Sequence, residues 1–481
     1  MRAVRAGGML GGRRRHRCLP ACGARRDSAE HLHTVMRDSA ARLDIVRNAG
    51  ATTQVTTTTE SEMSAPSAEA VLGAQATIRD WQENVYRDLH AHPELGHQEE
   101  RTAGLVAGEL RDLGFEVHEN VGTTGVVGVL TNGDGPVVLM RADMDALPVA
   151  EATGLPYAST AHATDGDGKD VPVMHACGHD VHVACLLGAA RLLASSRPAW
   201  SGTFVALFQP AEELADGARS MVDGGLASLI PTPDVALAQH VLAYPSGTVG
   251  THAGPFLSLA ESVRITVYGR GSHGSMPHLS VDPAVLAAMI VVRLQTVVAR
   301  EMTPGEFAVL TVGRIAVGTK SNIIDDHAVL ELNLRAYSDA ARARMRTAIE
   351  RIVRGECAAS GSPKEPDFET YDRYPLTDND PAVTARVAQA FRVHFGQAAG
   401  DFGRQTASED FTDIPTALDV PYTYWALGGI DAQVYEAAAA RGTVSEDIPG
   451  NHSPRFAPVI QPTLETGTAA VVVAALAWLG T

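Results

Sequence analysis

The chain has few aromatic side chains, 5% of 481 residues, and no excess of positive charge: 39 lysines and arginines face 56 acids, a formal net charge of −17. Without a net positive field to collect phosphates, nucleic acid is excluded as a partner. Cysteine is scarce and odd in number, five in all. With no framework spacing this excludes a disulfide scaffold and fits a reducing compartment, so the cytoplasm is the expected location. A bilayer helix needs about 20 apolar residues. The most apolar run, residues 469–479, is shorter and reads as a C-terminal helix packed on the core, so no membrane partner is expected.

What is there is a globular composition, 45% hydrophobic and 20% charged, on a chain long enough for more than one core. The first 62 residues differ in kind, with eleven arginines, six acids, no lysine and a threonine run at 56–59. Lacking apolar periodicity, residues 1–70 are expected to form a disordered extension, with the functional chain beginning near Met63. Residues 71–258 and 372–481 read as one catalytic domain, interrupted by a small domain over 259–371.

That division rests on the pattern. Trp81, Val85 and Leu89 recur every fourth residue, a helix that stops before Pro93, and a second helix over 100–113 ends at Gly114. Runs at 125–130 and 136–141 flank the turn Asn132-Gly-Asp-Gly135, which predicts a hairpin. Helix 181–194, strand 202–209, helix 215–223 and strand 234–240 then alternate, the signature of a three-layer α/β domain with a mixed sheet. From Glu261 the order becomes βαββα with a closing strand near 366–371, a ferredoxin-like α+β layout.

The chemistry gathers where strands are expected to end. Val173-Met-His-Ala-Cys-Gly-His-Asp-Val-His182 places the Cys177 thiol two residues before the His179 imidazole in a glycine turn opening a helix. Glu212 and Glu213 follow the strand 202–209, His240 ends the strand 234–240, and His452 stands in a C-terminal loop. Alone, each has an ordinary structural use, as a solvated carboxylate or a turn histidine. Together, Cys177, His179, Glu213, His240 and His452 offer nitrogen, oxygen and sulfur donors suited to zinc and, with fewer soft donors, to manganese or cobalt. Five donors exceed the need of one tetrahedral catalytic zinc. A two-metal centre follows, with ions roughly 3.5–4 Å apart and a bridging hydroxide. Two adjacent carboxylates at a strand end, Glu212 and Glu213, can diverge, one to bind metal and one to face a reacting water. A thiol-nucleophile pair of Cys177 and His179 is a competing reading, set against by the many other ligands. His182 could share a helix face with His179 and reads as a supporting group. Cys185 and Cys357 read as packing, Trp425 as a pocket wall or a core residue, and His16, Cys18 and Cys22 as a chance grouping.

The succession His90-Ala-His-Pro-Glu-Leu-Gly96, Arg141-Ala-Asp-Met-Asp-Ala-Leu-Pro148, His175-Ala-Cys-Gly-His-Asp-Val-His182, Pro210-Ala-Glu-Glu213, Gly271-Ser-His-Gly-Ser-Met-Pro-His278, Ser408-Glu-Asp-Phe411 and Asn451-His-Ser-Pro454 resembles the aminoacylase-type metallopeptidases. Within them it is similar to the amidohydrolase branch of indoleacetyl-amino-acid (auxin-conjugate) hydrolases, hippurate hydrolases and N-acyl-amino-acid deacetylases. The resemblance implies a zinc-exopeptidase-like catalytic domain with a lid or dimerisation domain, and two divalent ions per subunit, manganese or zinc with cobalt or nickel as alternatives. It implies Cys177 as a bridging ligand, with His179, Glu213, His240 and His452 completing the set. Glu212 would be the general base, Asp145 a supporting group near the site with Asp143 beside it, His273 the partner of the oxyanion, and Asn322 and Arg335 the binders of the substrate carboxylate. The substrate class is N-acyl amino acids, with a dipeptidase or carboxypeptidase activity, or a metal-free binding role, as alternatives. The implied assembly is either a homodimer through the small domain or a monomer in which that domain acts only as a lid.

Overall fold

The computed structural model describes residues 65–480, within the second of two compact units, residues 62–481. The arginine-rich leader and the His16, Cys18, Cys22 grouping lie outside the described residues. The first described element, the helix Ala65–Leu72, begins inside the expected extension; its Val71 is buried, and the helix packs on the helices His179–Ser195 and Ile460–Leu479.

An eight-stranded sheet runs in the order Glu116–Val121, Gly125–Asn132, Gly202–Gln209, Val137–Asp143, Val235–Pro245, Tyr422–Ile430, Val249–Thr251, Ala399–Asp401. It is mixed: Val137–Asp143 pairs in parallel with both neighbours, while Gly125–Asn132 is antiparallel to Gly202–Gln209. The sequence of Gly202–Gln209 explains its place. All eight residues are buried, with Phe204, Ala206 and Phe208 facing one helical layer and Val205 and Leu207 the other. A strand covered on both faces reads as an unbroken apolar run.

That strand also overturns the expected hairpin. Gly202–Gln209 inserts between Gly125–Asn132 and Val137–Asp143, so the turn at Asn132 to Gly135 joins strands that do not pair. Local turn chemistry is present, with Gly133 and Gly135 at positive φ. Burial decides the pairing instead, because the most apolar strand takes an interior position.

By length and composition, the helices Pro283–Glu301 and Ile460–Leu479 are each apolar enough to cross a membrane. In the fold, Ile460–Leu479 lies in the interior of one helical layer, with Leu464, Val471, Val472 and Leu476 in the core.

A second sheet carries its own core. Its four strands run in the order Ala308–Val317, His327–Ala336, Leu259–Tyr268, Asp367–Tyr374, all antiparallel. The helices Pro283–Thr296 and Asp339–Ser360 cover it, burying Leu286, Ile290, Met345 and Ile349 against Ile265, Val267, Leu330 and Leu332. Both helices start on side-chain caps, Asp282 and Ser338, each accepting from backbone N–H groups of the first turn. In chain order this unit reads strand, helix, strand, strand, helix, strand.

Candidate metal centre and active site

The donors converge at one end of the large sheet because three tight backbone features place them there. Gly178, at φ 86°, caps the N-terminus of the helix His179–Ser195, and a Cβ on it would meet Val241 Cγ1 at 2.4 Å. Only glycine fits, and its turn lets Cys177 and His179 converge on one site. After Gly202–Gln209 the chain passes through Ala211 in the left-handed region, φ 49°, and into the turn holding Glu212 and Glu213. The buried Glu99 carboxylate braces that turn, accepting from Ala211 N–H at 2.8 Å and from Thr124 Oγ1–H at 2.5 Å. Burial pushes the Glu99 carboxyl up to about 7. His452, at φ 69°, is tied by its N–H to the Ala176 carbonyl at 2.8 Å.

His240 corrects the sequence reading. It does not end a strand, for Val235–Pro245 runs five residues further, pairing alongside Tyr422–Ile430. Its side chain leaves the middle of that strand instead.

The ring nitrogens assign themselves. His240 Nδ1–H donates to the Val241 carbonyl at 2.8 Å, which leaves Nε2 as the donor atom, 3.4 Å from Cys177 Sγ. His179 Nδ1–H is shared between the Asp145 carbonyl at 2.9 Å and Asp145 Oδ1 at 3.1 Å. Its Nε2 then points into the cluster, 4.0 Å from both Glu212 Oε2 and Glu213 Oε1. A buried Nε2 of His179 and Oε1 of Glu213 have no hydrogen-bond partner, and His452 Nε2 stands 3.2 Å from that same Oε1. Buried polar atoms are normally paired. A cationic ligand would satisfy both, and the sets Cys177, His179, His240 and Cys177, Glu213, His452 each have donor atoms within 4.8 Å of one another. The residues present therefore fit divalent metal.

Charge in the cluster points the same way. The Cys177 thiol and Glu213 hold the His452 imidazole up to about 10, and although burial favours a neutral Glu213, His452 and His179 hold its carboxyl below the usual range. Glu212 is displaced upward by burial and by the acids Glu409, Glu213 and Asp410.

Behind the donors lies a buried frame. Asp145 uses both oxygens: Oδ1 takes His179 and Oδ2 takes the Glu213 N–H at 2.9 Å. His182 is not a donor to the cluster, since Nδ1–H goes to Asp143 Oδ1 at 2.5 Å and Nε2 accepts Val241 N–H at 2.8 Å. Asp143 is held by Arg141 at 2.6 Å, and the fully buried Arg141 also grips Glu409 at 2.7 Å and Gln209 at 2.9 Å. Asn451 Nδ2–H bonds the carbonyls of Cys177 and Val241, both at 3.0 Å, locking two donor segments together.

Several of these residues escaped the sequence reading. His90 sits in a motif without an assigned role; its Nδ1 lies 2.7 Å from Asp180 Oδ2 and its Nε2 3.2 Å from Glu151 Oε1. Burial opposes its protonation, and the two carboxylates outweigh it, raising the imidazole to about 10. Glu99 and Tyr374 are lone residues with no pattern to mark them. Tyr374 Oη–H donates to the Glu212 carbonyl at 3.3 Å.

Of the expected substrate groups, Arg335 lies on the smaller sheet, whereas His273 belongs to a separate two-residue ladder, Ser272–His273 with Ile323–Ile324, and Asn322 precedes that second strand. Arg335 Nη1–H donates to the Thr406 carbonyl at 3.1 Å and to Ser408 Oγ at 3.0 Å. His273 is exposed and Nδ1 accepts from Ser275 N–H at 3.1 Å, with Asn322 next to it: the Gly274 N–H bonds the Asn322 carbonyl at 2.8 Å. Among the described residues no hydrogen bond or ion pair joins His273 or Asn322 to the metal-donor cluster. Trp425 belongs to the core, fully buried with Nε1–H on Gln239 Oε1 at 3.2 Å, and Cys185 and Cys357 are buried free thiols.

A mixed α/β sheet with a cluster of thiol, imidazole and carboxylate donors gathered at one place on it defines a hydrolase of the metallopeptidase type. Residues 139–446 match Peptidase family M20/M25/M40, and the chain belongs to that family. It is 38% identical over 379 residues to the Thermostable carboxypeptidase 1 of Saccharolobus solfataricus, covering 77% of this chain and 92% of that protein. It is 36% identical to the Hippurate hydrolase of Campylobacter jejuni over 68% of this chain and 83% of that protein. The fold matches the crystal structure of a Bacillus subtilis protein described as a dinuclear metal binding peptidase from M20 family, with TM-score 0.65 and 27% identity. That match covers 83% of this chain and 98% of the other.

Proposed function

We propose that the protein hydrolyses the amide bond of N-acyl amino acids, of N-acetyl, N-benzoyl or indoleacetyl type, at a centre of two divalent ions held by Cys177, His179, Glu213, His240 and His452. The observation that carries this reading is the convergence of the donor atoms of Cys177, His179, Glu213, His240 and His452 beside Glu212, with the buried His179 Nε2 aimed into the cluster and lacking a hydrogen-bond partner. Manganese or zinc suits the donor set, with cobalt or nickel as alternatives. When bound, such ions polarise the scissile carbonyl and lower the pKa of water toward about 7.

The chain's own groups do the rest. Glu212 takes the proton of the attacking water on a carboxylate oxygen and returns it to the leaving amine nitrogen. Asp145 fixes the ring of His179 and the backbone of Glu213, so that the donor atoms need not reorganise. Arg335 grips the substrate carboxylate as a two-pronged fork, with Asn322 in the same role, and His273 donates to the oxyanion. His273 suits that role because Nδ1 accepts from a backbone N–H, which leaves the proton on Nε2. Its distance from the cluster in contacts calls for closure of the smaller unit or for a second subunit.

A homodimer through the smaller unit is supported by its surface. Val285, Met289 and Val292 form an exposed apolar stripe at helical spacing, and the strand Ala308–Val317 is the open edge of the sheet. A second activity, release of a C-terminal amino acid from peptides, is favoured by the 38% identity to a protein named as a carboxypeptidase.

The deciding experiment is a panel of N-acetyl, N-benzoyl and indoleacetyl amino acids beside dipeptides, each with manganese, zinc, cobalt and nickel. The reading expects kcat/KM for acyl amino acids to exceed that for peptides. Peptides turned over faster would give the site to a peptidase, and no turnover with any metal would refute hydrolysis of this class.

A further inference from the structure

Tyr374 ends the strand Asp367–Tyr374 and lies in one row across three strands. Arg335 pairs with Ala260, and Ala260 pairs with Tyr374. Directly opposed residues of antiparallel strands share a face, so Arg335 and Tyr374 stand on the same side of the sheet, two strand spacings or about 9.6 Å apart. Ala260, a small residue, is the middle member of that row, next to a bulge between it and Ser262. Tyr374 is an electrostatic neighbour of Arg335, and on the other side of Glu212, Glu213 and Asp145. The phenol thus bridges the proposed carboxylate grip and the proposed reacting centre.

Its hydroxyl is uncommitted in a useful way. The bond to the Glu212 carbonyl, at 3.3 Å, is longer than the usual 2.5–3.0 Å of an O–H donor to oxygen. A weak bond can be exchanged for a stronger one when charge develops nearby. Phenol carries its proton at neutral pH, its ordinary pKa being about 10.

We propose that Tyr374 is a catalytic residue of this chain's own site, donating its hydroxyl proton in a hydrogen bond to the tetrahedral oxyanion formed at the scissile carbonyl. A substrate with its carboxylate on Arg335 extends along the row toward Glu212, and its carbonyl oxygen comes under the phenol. The donor is supplied in cis, so the oxyanion does not depend on His273 alone. No proton changes owner in this step: the hydrogen bond shortens as the carbonyl oxygen gains charge and lengthens as the amide C–N bond breaks. The assignment rests on the reading of the site as an amide hydrolase.

The test is Tyr374→Phe in the full chain loaded with manganese or zinc, assayed on the best N-acyl amino acid of the panel. Removing one oxyanion donor lowers kcat by about 10²–10³, and KM is expected to stay within about threefold. A second readout is binding of a phosphinate in which tetrahedral phosphorus replaces the scissile carbonyl: its affinity should fall in step with kcat, while affinity for the product amino acid stays constant. Tyr374→Leu, which also lacks the hydroxyl, should reproduce the loss of phosphinate affinity in either side-chain shape. Unchanged kcat, a rise in KM alone, or lost kcat with phosphinate affinity intact would overturn the assignment. The last result would mean that Tyr374 only positions Glu212. Wild-type turnover and its loss in Glu212→Gln, measured in parallel, show whether the underlying reading holds; if the wild type is inactive, both fall.

Discussion

Replacing Asp145 by alanine removes two hydrogen bonds that set the geometry of two proposed metal ligands at once. Oδ1 takes the His179 Nδ1–H at 3.1 Å and Oδ2 takes the Glu213 N–H at 2.9 Å. The two losses are unequal. His179 retains the backbone carbonyl of residue 145 at 2.9 Å, so its ring loosens without losing its tautomer. The Glu213 N–H is left without its acceptor beside a buried site, a penalty of about 1–3 kcal/mol. Loss of an orienting partner typically costs 10–100-fold in metal affinity, or about 1.4–2.8 kcal/mol at 1.4 kcal/mol per factor of ten. Asp145→Ala is therefore expected near the upper end of that range. Asp145→Asn should be milder, because its amide oxygen can stay on the Glu213 N–H while the NH₂ turns toward His179, which keeps its backbone acceptor. The assay is competition with a chromogenic chelator, with circular dichroism and thermal unfolding of the metal-stripped proteins as folding controls. Wild-type metal affinity in Asp145→Ala, or a greater loss in Asp145→Asn than in Asp145→Ala, would refute the reasoning.

Two further outcomes follow from the cluster and its frame. Cys177→Ser replaces a soft sulfur donor by a hydroxyl oxygen, a poorer ligand for such ions, so metal content and activity should fall together; a variant with full metal occupancy by elemental analysis would show that the thiol serves another purpose. His90 has a folded-state pKa of about 10 against an ordinary value of 6.5, so its contribution to stability is complete below about pH 6.5 and is lost as pH rises through 10. On the order of 5 kcal/mol is the ceiling for that loss at 1.36 kcal/mol per unit. Urea unfolding of wild type and His90→Gln at pH 6, 8 and 10 should show the alkaline decline flattened in the variant, and parallel curves would remove His90 from that role.

Much of the architecture was legible because it rests on local pattern. The unbroken apolar run Phe204–Phe208 in the strand Gly202–Gln209 marks a strand covered on both faces, and a carboxylate pair just beyond such a strand points at the crevice where ligands gather. Pairing was less legible. The Asn132 to Gly135 turn has hairpin chemistry, yet the neighbours of each strand were settled by a strand some 70 residues on, a non-local burial effect that no short window reports. His240 was placed at a strand end for a similar reason: the five residues after it continue the ladder through contacts with Tyr422–Ile430. The candidate donors were picked out by residue type in sequence order, and the fold brings Cys177, His179 and His240, and Cys177, Glu213 and His452, within reach of one another. The frame was legible in part, since Asp145, Asp143 and His182 were expected as supporting groups, but Glu99, His90, Asn451 and Tyr374 gain meaning only from what the fold brings to them. Each lies far along the chain from the group it braces: 112 residues separate Glu99 from Ala211, and 162 separate Tyr374 from Glu212.

The most direct test of a metal-dependent hydrolase with Glu212 as its base is one paired measurement on wild type and Glu212→Gln: metal ions per chain by elemental analysis, and kcat on an N-acyl amino acid. Glutamine keeps the shape of the side chain but cannot take the proton. The expected result is two ions per chain in both proteins and a fall in kcat of about 10²–10⁴ in the variant, the usual weight of a general base. Retained turnover in Glu212→Gln with its metal bound would contradict the assignment at its centre.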